Sequence, residues 1–275
     1  MGNVIYCETV ESEIPYIFDN TRIAVYSYEE LCYYIFQNYS LLTTKQLGEP
    51  LLQWLQEQLK LVELAQTLRQ LMEQNYSMYE YLEVLLLSYN YYEKEEVLLL
   101  FERMKEEERF PRNIQLKRQA DRFVEFHKYT KAVLLYEEIL KDENLEAELA
   151  SQVYHNKAVA LSKNWDFTAA RQCFLKAYEA SPNTLSLSCY FITYFVNQQM
   201  AEAEKQKEQL GIENDVYESI VAEYKRSTDN YQKSSSYEAF QKIQEDYAAG
   251  QSERAKSKVS RFIKSWKEDY RMQNR

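Results

Sequence analysis

Glycine and proline are both scarce in this sequence. Each occurs four times in 275 residues, whereas glycine alone averages about 7% of the residues in proteins. No Gly-x-Gly occurs, so neither a dinucleotide-binding fingerprint nor a Walker A phosphate loop can form. Sandwiches and barrels need turn residues about every 8–12 positions, and these are missing too. A chain that is poor in turn residues and rich in Leu, Glu, Gln, Lys and Tyr is typical of helices joined by short loops.

The residues that build catalytic and metal sites are also few. The chain has two histidines, His127 and His155, and it contains no H-E-x-x-H, G-x-S-x-G or C-x-x-C motif, each of which marks a common class of zinc, hydrolytic or redox site. We therefore expect no enzyme activity, no catalytic residue, no metal site and no cofactor. The cysteines are predicted to be free thiols in or near helix cores: Cys7, Cys32, Cys173 and Cys189.

Long apolar runs are absent as well. The best uncharged window, Ala180 to Ala201, contains about a dozen mainly apolar residues between Leu185 and Val196, and a membrane span needs about 20. We interpret this window as a buried helix. No basic segment followed by an apolar core begins the sequence, so no secretory signal is visible and we expect a cytoplasmic protein.

Charge is plentiful but uneven. The formal net charge is −10, and residues 1–110 hold 8 basic against 19 acidic groups, whereas residues 251–275 hold 8 basic against 3 acidic ones. An acidic body argues against nonspecific nucleic-acid binding as the main function, because phosphate contacts need a basic surface.

Helices are predicted for most of the first 110 residues. A polar turn between two short apolar runs predicts a small β-hairpin near residues 14–25. Ser27 and Ser77 each stand three residues before a glutamate, which is the pattern of a capping box at the start of a helix. Phe110–Pro111 breaks the last of these helices, and we place a domain boundary there, between a helical N-terminal domain of residues 1–110 and a second domain of residues 111–275.

The second domain repeats itself at an offset of 38 residues. Leu116, Ala120, Phe123, Ala132, Tyr136 and Ile139 align with Tyr154, Ala158, Leu161, Ala170, Phe174 and Ala177. This pattern resembles the tetratricopeptide repeat (TPR), a helix-turn-helix unit of 34 residues. The predicted repeats span about 113–146 and 151–184, with degenerate copies at 185–211 and 236–270.

The resemblance implies an all-α protein in which a TPR-like α-solenoid follows the N-terminal domain. It also implies a concave groove lined by the first helix of each repeat. The segment from Val25 to Ile35 is similar to the opening of a group of bacterial TPR proteins of uncharacterised activity, so that likeness implies no activity for this chain. The leading hypothesis is a scaffold or adaptor that binds a peptide or protein partner in the groove.

The repeat alignment predicts the partner-binding residues. They are Lys117, Arg118, Asp121, His155, Asn156, Val159 and Tyr190. Some TPR proteins hold a peptide C-terminal carboxylate with five polar residues, and here only Lys117 and Asn156 match that set, which disfavours such a clamp. The competing interpretation is that Lys117 and Arg118 are ordinary solvated side chains.

Two further features leave alternatives open. The last predicted helix carries many basic residues around an apolar stripe, so it is either a capping helix or a contact to nucleic acid or an anionic surface in a regulatory protein. The 25 tyrosines are either packing residues between helices or part of a partner surface, because tyrosine combines apolar area with a hydrogen-bonding tip.

Overall fold

The structure is a computed structural model that describes residues 10–74 and 76–273, with side chains described up to residue 268. The described chain holds fourteen α-helices and one sheet of two strands, which confirms the predicted all-α class. It forms two compact units, one ending at Gln119 and one running from Ala120 to Gln273. The sequence places its boundary at Phe110–Pro111, and the division between the units falls inside the helix that follows.

The first unit begins with the predicted β-hairpin, which is confirmed. Strands β1 (Tyr16–Ile17) and β2 (Ala24–Val25) pair antiparallel, with Tyr16 opposite Val25. Five helices and a single 3₁₀ turn at Tyr39–Leu41 follow. The helices are α1 (Tyr28–Asn38), α2 (Glu49–Glu57), α3 (Val62–Glu73), α4 (Met78–Leu87) and α5 (Lys94–Glu108).

Both predicted serine caps form. The Ser77 hydroxyl accepts the Glu80 N–H, and the Glu80 carboxylate accepts the Ser77 N–H in return, which is a complete capping box. The Ser27 hydroxyl accepts the Glu30 N–H at 3.1 Å, but the Glu30 carboxylate accepts from Tyr26 instead of Ser27. Each cap satisfies backbone donors that a helix start leaves without an intrahelical partner.

Two of the tyrosines in the core of the first unit have no exposed area. They are Tyr28 and Tyr81, and their hydroxyls donate to the carbonyls of Leu85 and Leu47. A buried hydroxyl without a partner would cost the full desolvation of that group, so these two bonds let large polar-tipped rings occupy the core. Burial raises the pKa of both phenols.

The second unit is built of consecutive helices joined by short connections. Its first helix, α6, also contains the division between the units. The helices are α6 (Arg112–Glu125), α7 (Tyr129–Ile139), α8 (Ala147–Lys163), α9 (Phe167–Ala180), α10 (Thr184–Val196), α11 (Met200–Leu210), α12 (Asn214–Gln232), α13 (Ser235–Ala248) and α14 (Ser252–Gln273). Neighbouring helices pack against one another along most of this unit: α7 lies against α8, α9 lies against both α8 and α10, and α10 also contacts α12.

Five connections of the second unit have the same backbone turn: the one at Gly211, with φ 64°, joins α11 to α12, and the other four close hairpins. The four hairpin turns join α6 to α7, α8 to α9, α10 to α11, and α13 to α14. In each hairpin turn one residue takes a positive φ: His127 at 56°, Trp165 at 65°, Gln198 at 57° and Gly250 at 74°. The N–H of that residue and the N–H of the next both bond back to carbonyls of the preceding helix. This pattern is a Schellman motif, which ends a helix by satisfying its last carbonyls.

A buried alanine follows each of the four hairpin turns by five residues. The four are Ala132, Ala170, Ala203 and Ala255, each with no exposed area. A methyl side chain lets the second helix approach the first closely, so the alanine and the turn together set the geometry of each hairpin. The third and fourth hairpins, which look degenerate in sequence, therefore share the turn of the first two.

We predict that glycine makes the protein more stable than alanine does at the positive-φ position of these turns, the opposite of their order inside a helix. Gly250→Ala is expected to lower the free energy of unfolding by about 1 kcal/mol, because an L-residue is strained at positive φ. The added Cβ would meet no atom within 4 Å, so the cost is conformational. Gln198→Gly is expected to be more stable than Gln198→Ala by a similar amount. Urea unfolding followed by circular dichroism measures both differences.

The control substitution belongs at a neighbouring residue with a negative φ. Ala249, which precedes Gly250 at φ −79°, tests whether glycine stabilises in general: Ala249→Gly should be neutral or destabilising. If Gly250→Ala is as stable as the wild type or more stable, the role assigned to the turn is contradicted.

Candidate functional site

The candidate site lies on the first helices of the second and third hairpins. On α8, His155, Asn156 and Val159 are half-buried and Lys163 is exposed, and these residues share one side of the helix at helical spacing. Five of the seven predicted site residues belong to the second unit. They are Asp121 on α6, His155, Asn156 and Val159 on α8, and Tyr190 on α10.

Asp121 and Asn156 are brought into direct contact. The Asn156 side-chain amide donates to Asp121 Oδ1 at 2.7 Å, and the Tyr136 hydroxyl donates to the same oxygen at 2.5 Å. Tyr136 is fully buried, and burial followed by the Asp121 contact raises its pKa. This network ties α6, α7 and α8 together, so the polar tips of Asp121 and Asn156 are already engaged within the protein.

His155 also has an internal partner. Its Nδ1 shares a hydrogen bond of 3.0 Å with the Ser186 hydroxyl at the start of α10, and its ring meets Phe174 edge-on. Desolvation by burial lowers the pKa of His155. A histidine beside a serine is the beginning of a nucleophilic site, but Ser186 has only 1% of its surface exposed. The pair therefore joins α8 to α10 and does not present a hydroxyl to a substrate.

The third hairpin is shifted by one residue from its predicted register. The predicted face on α10 uses an offset of 34 residues, which takes His155 to Cys189 and Asn156 to Tyr190. The turn and the buried alanine recur instead at an offset of 33, since Trp165 corresponds to Gln198 and Ala170 to Ala203. With that register the residues of α10 that correspond to the face of α8 are Ser188, Cys189, Ile192 and Val196.

Burial agrees with the shifted register. Tyr190, which the alignment places on the face, is 2% exposed, and Thr193 is 4% exposed, whereas Val196 is 42% exposed. Ser188, Cys189 and Ile192 are half-buried. The buried alanine at 203 is the sequence signal that fixes this register. We call the eight residues the groove face: His155, Asn156, Val159 and Lys163 of α8, and Ser188, Cys189, Ile192 and Val196 of α10.

Tyr190 has a structural role behind the groove face. Its hydroxyl donates to Gln206 Oε1 at 2.9 Å and lies 3.2 Å from the Tyr194 hydroxyl. The Arg171 guanidinium stacks on Tyr194, 3.6 Å from the ring centroid, and bonds to Thr193. These contacts hold α9, α10 and α11 together, so Tyr190 supports the groove face from inside.

Lys117 and Arg118 lie in the first unit, on the part of α6 that precedes the division. The Arg118 guanidinium stacks 4.1 Å from the centroid of Phe110 and lies 3.8 Å from a carboxylate oxygen of Glu107. Lys117 is half-buried. Arg118 is therefore held by neighbours in its own unit.

The described cysteines are Cys32, Cys173 and Cys189, and all three are free. This confirms the prediction for them, whereas Cys7 lies outside the described residues. Burial raises the pKa of each thiol. A thiolate is the reactive form of cysteine, so none of the three is activated, including Cys189 on the groove face.

The first unit contains an open pocket of about 190 Å³. Its apolar wall includes Leu82 and Met104, and Glu107 and Glu108 line its rim. The Tyr39 hydroxyl donates to Glu107 at 2.7 Å, and the Tyr79 hydroxyl donates to Glu108 at 2.8 Å. Cofactor and drug sites usually measure about 300–1,000 Å³, so the pocket is small for such a ligand.

The described residues form neither a metal-binding cluster nor a membrane-spanning helix. Within residues 10–74 and 76–273, no group of three or more His, Cys, Asp or Glu side chains is arranged to hold a metal ion. Over the same residues no helix has both the length and the apolar character needed to cross a membrane. The window from Ala180 to Ala201 contains α10, whose core-facing residues are buried as predicted.

We predict that His155 makes stability fall as the pH is lowered. Because its pKa is lowered in the folded state, the unfolded chain binds the proton first as the pH drops below about 6.5. Unfolding in urea at about pH 7.5 and about pH 5.5 should therefore show a smaller loss of stability for His155→Asn than for the wild type.

The same substitution at the other, exposed histidine, His127→Asn, is measured alongside as the comparison. If His155→Asn and the wild type lose the same stability over this range, the buried neutral state of His155 is contradicted.

Comparisons of this chain with protein-family models, with curated proteins and with solved structures gave no match. Function must therefore be inferred from the groove face itself. That face combines exposed and half-buried side chains on two adjacent helices, and its polar and apolar members are unevenly divided between them.

Proposed function

We propose that this chain is a non-enzymatic protein–protein interaction scaffold that binds a peptide or protein segment along the groove face. The observation that carries the proposal is the recurrence of one turn and one buried alanine in successive hairpins. A repeated hairpin presents its first helices side by side, and the resulting surface is the one that helical repeat proteins use for binding. A cytoplasmic location is part of the same proposal.

The chemistry of the groove face favours an amphipathic segment. The α8 half offers Lys163 as an exposed cation beside the engaged His155 and Asn156, and the α10 half offers Ile192 and Val196. An apolar anchor on the partner would cover the α10 half, and an acidic group would pair with Lys163.

A clamp for a C-terminal carboxylate is not supported. Asn156, one of the two residues that match such a clamp, donates its amide to Asp121 at 2.7 Å. A carboxylate bound there would have to break that hydrogen bond and approach the negative charge of Asp121. The free energy that this costs is larger than the free energy gained from a hydrogen bond to the uncharged amide of Asn156. The partner is therefore expected to bind through internal side chains and not through its terminus.

Panning a displayed peptide library tests the proposal. Full-length protein is immobilised, random peptides of roughly a dozen residues are selected, and the recovered peptides are synthesised and titrated by fluorescence anisotropy. We expect selected sequences with an apolar anchor near an acidic residue. Val196→Glu should weaken their binding at least about tenfold, since it puts a charge where an apolar anchor is buried.

Leu134→Glu is the matched control. Leu134 is 60% exposed on α7, outside the groove face, so the same kind of substitution there should leave peptide affinity unchanged. Lys163→Glu should weaken binding of acidic peptides and spare neutral ones. Peptides that bind Val196→Glu, Lys163→Glu and the wild type equally would reject the groove face as the binding surface.

A further inference from the structure

The last helix exposes large apolar side chains. Ile263 is 43% exposed and Trp266 is 58% exposed, and the Trp266 ring packs on Phe262 at a centroid distance of 4.5 Å. Residues three and four positions apart lie on one side of a helix, so Phe262, Ile263 and Trp266 form a single apolar stripe. Helix α14 has 22 residues against 14 in its hairpin partner α13, so its last turns run beyond the start of that partner.

The same helix is basic. Between its first residue and residue 268 it carries two glutamates, Glu253 and Glu268, and six cations: Arg254, Lys256, Lys258, Arg261, Lys264 and Lys267. This distribution contrasts with the net negative charge of the whole chain. Cations on one side of an apolar stripe are typical of helices that lie in the surface of an anionic bilayer.

Two of the six cations pair with a residue of α13, and four do not. Lys258 lies 2.7 Å and Arg254 3.8 Å from the buried Asp246 of α13, so these two fix α14 to its partner helix. Lys256 and Lys264 form exposed pairs with glutamates of their own helix, and exposed pairs of this kind contribute little energy. Arg261 and Lys267 are exposed. Apart from Arg254 and Lys258, the cations of α14 therefore remain available on its exposed surface.

We propose that α14 binds the surface of a bilayer containing anionic lipids, with Ile263 and Trp266 inserted among the headgroups. Charge complementarity selects an anionic surface, and the exposed indole selects lipid over nucleic acid, because tryptophan is favoured at membrane interfaces. Binding to the phosphates of a nucleic acid would explain the cations, but it would not explain why an isoleucine is exposed beside them. The helix lies on the membrane, and the rest of the chain remains outside it.

Tryptophan fluorescence of the full-length protein tests the proposal. The chain has three tryptophans: Trp54 is 6% exposed, whereas Trp165 and Trp266 are exposed. In the Trp165→Phe background any change on binding therefore reports Trp266. With phosphatidylcholine vesicles that contain phosphatidylserine, we expect a blue shift, reduced quenching by acrylamide and co-sedimentation. With pure phosphatidylcholine vesicles we expect none of these.

Two pairs of variants separate the apolar and electrostatic contributions. Trp266→Ser should weaken the partition into anionic vesicles about tenfold, whereas Trp266→Phe should retain most of it and Trp165→Ser should change nothing. Lys264→Glu with Lys267→Glu should abolish binding at low salt. The matched control, Lys205→Glu with Lys225→Glu, carries the same charge change on α11 and α12 and should bind as the wild type does.

Several outcomes would overturn the proposal. They are equal binding to neutral and anionic vesicles, no binding to either, a blue shift that survives Trp266→Ser, or binding to a short DNA duplex in the absence of vesicle binding. Far-UV circular dichroism of each variant establishes that it is folded. If a variant of α14 unfolds, the wild-type protein in raised salt provides the second measurement, and vesicle binding that does not weaken rejects the electrostatic part.

Discussion

The second unit depends on a turn in which one residue takes the left-handed backbone conformation. The N–H of that residue and the N–H of the next bond to the last carbonyls of the preceding helix, and in each hairpin a buried alanine follows five positions later. In the four hairpins only one of these residues is glycine; the others are His127, Trp165 and Gln198. An L-residue there costs about 1–2 kcal/mol, so packing between the helices of each hairpin must offset the strain. Because the chain has only four glycines, three of the four hairpin turns have another residue at the positive-φ position.

The register of each hairpin decides which side chains a partner can reach. One residue along a helix turns the side chain by about 100°, so a shift of one position exchanges an exposed side for a buried one. On α10 this difference separates Val196, which is exposed, from Tyr190 and Thr193, which lie in the core. The backbone turn at Gln198 therefore sets the composition of the groove face, although Gln198 itself is not part of it.

The sequence predicts much of this fold because several local signals agree. Ser27 and Ser77 fix helix starts, the polar turn near residue 20 fixes the hairpin, and the alanines of the first two hairpins align at 38 residues. The third hairpin lacks the aromatic that follows the turn in the first two, and only the alanine at 203 marks its register, so an alignment by spacing slips by one. The contacts of His155 with Ser186 and of Asn156 with Asp121 join residues 31 and 35 positions apart. Helical periodicity carries no information about pairs at such distances.

The polar residues of the groove face act mainly within the protein, because of these internal contacts. His155 and Asn156 look like ligand-binding groups in the sequence, but each already has a partner, and those partners hold neighbouring helices in place. Part of the high tyrosine content has the same explanation. Four tyrosines are buried and have hydroxyls that are hydrogen-bonded inside the protein: Tyr28, Tyr81, Tyr136 and Tyr190. What the groove face has left for a partner is mainly the apolar surface of α10 and the charge of Lys163. Recognition there must depend on shape and burial more than on hydrogen bonding, because most of the hydrogen-bonding capacity has been used to build the face.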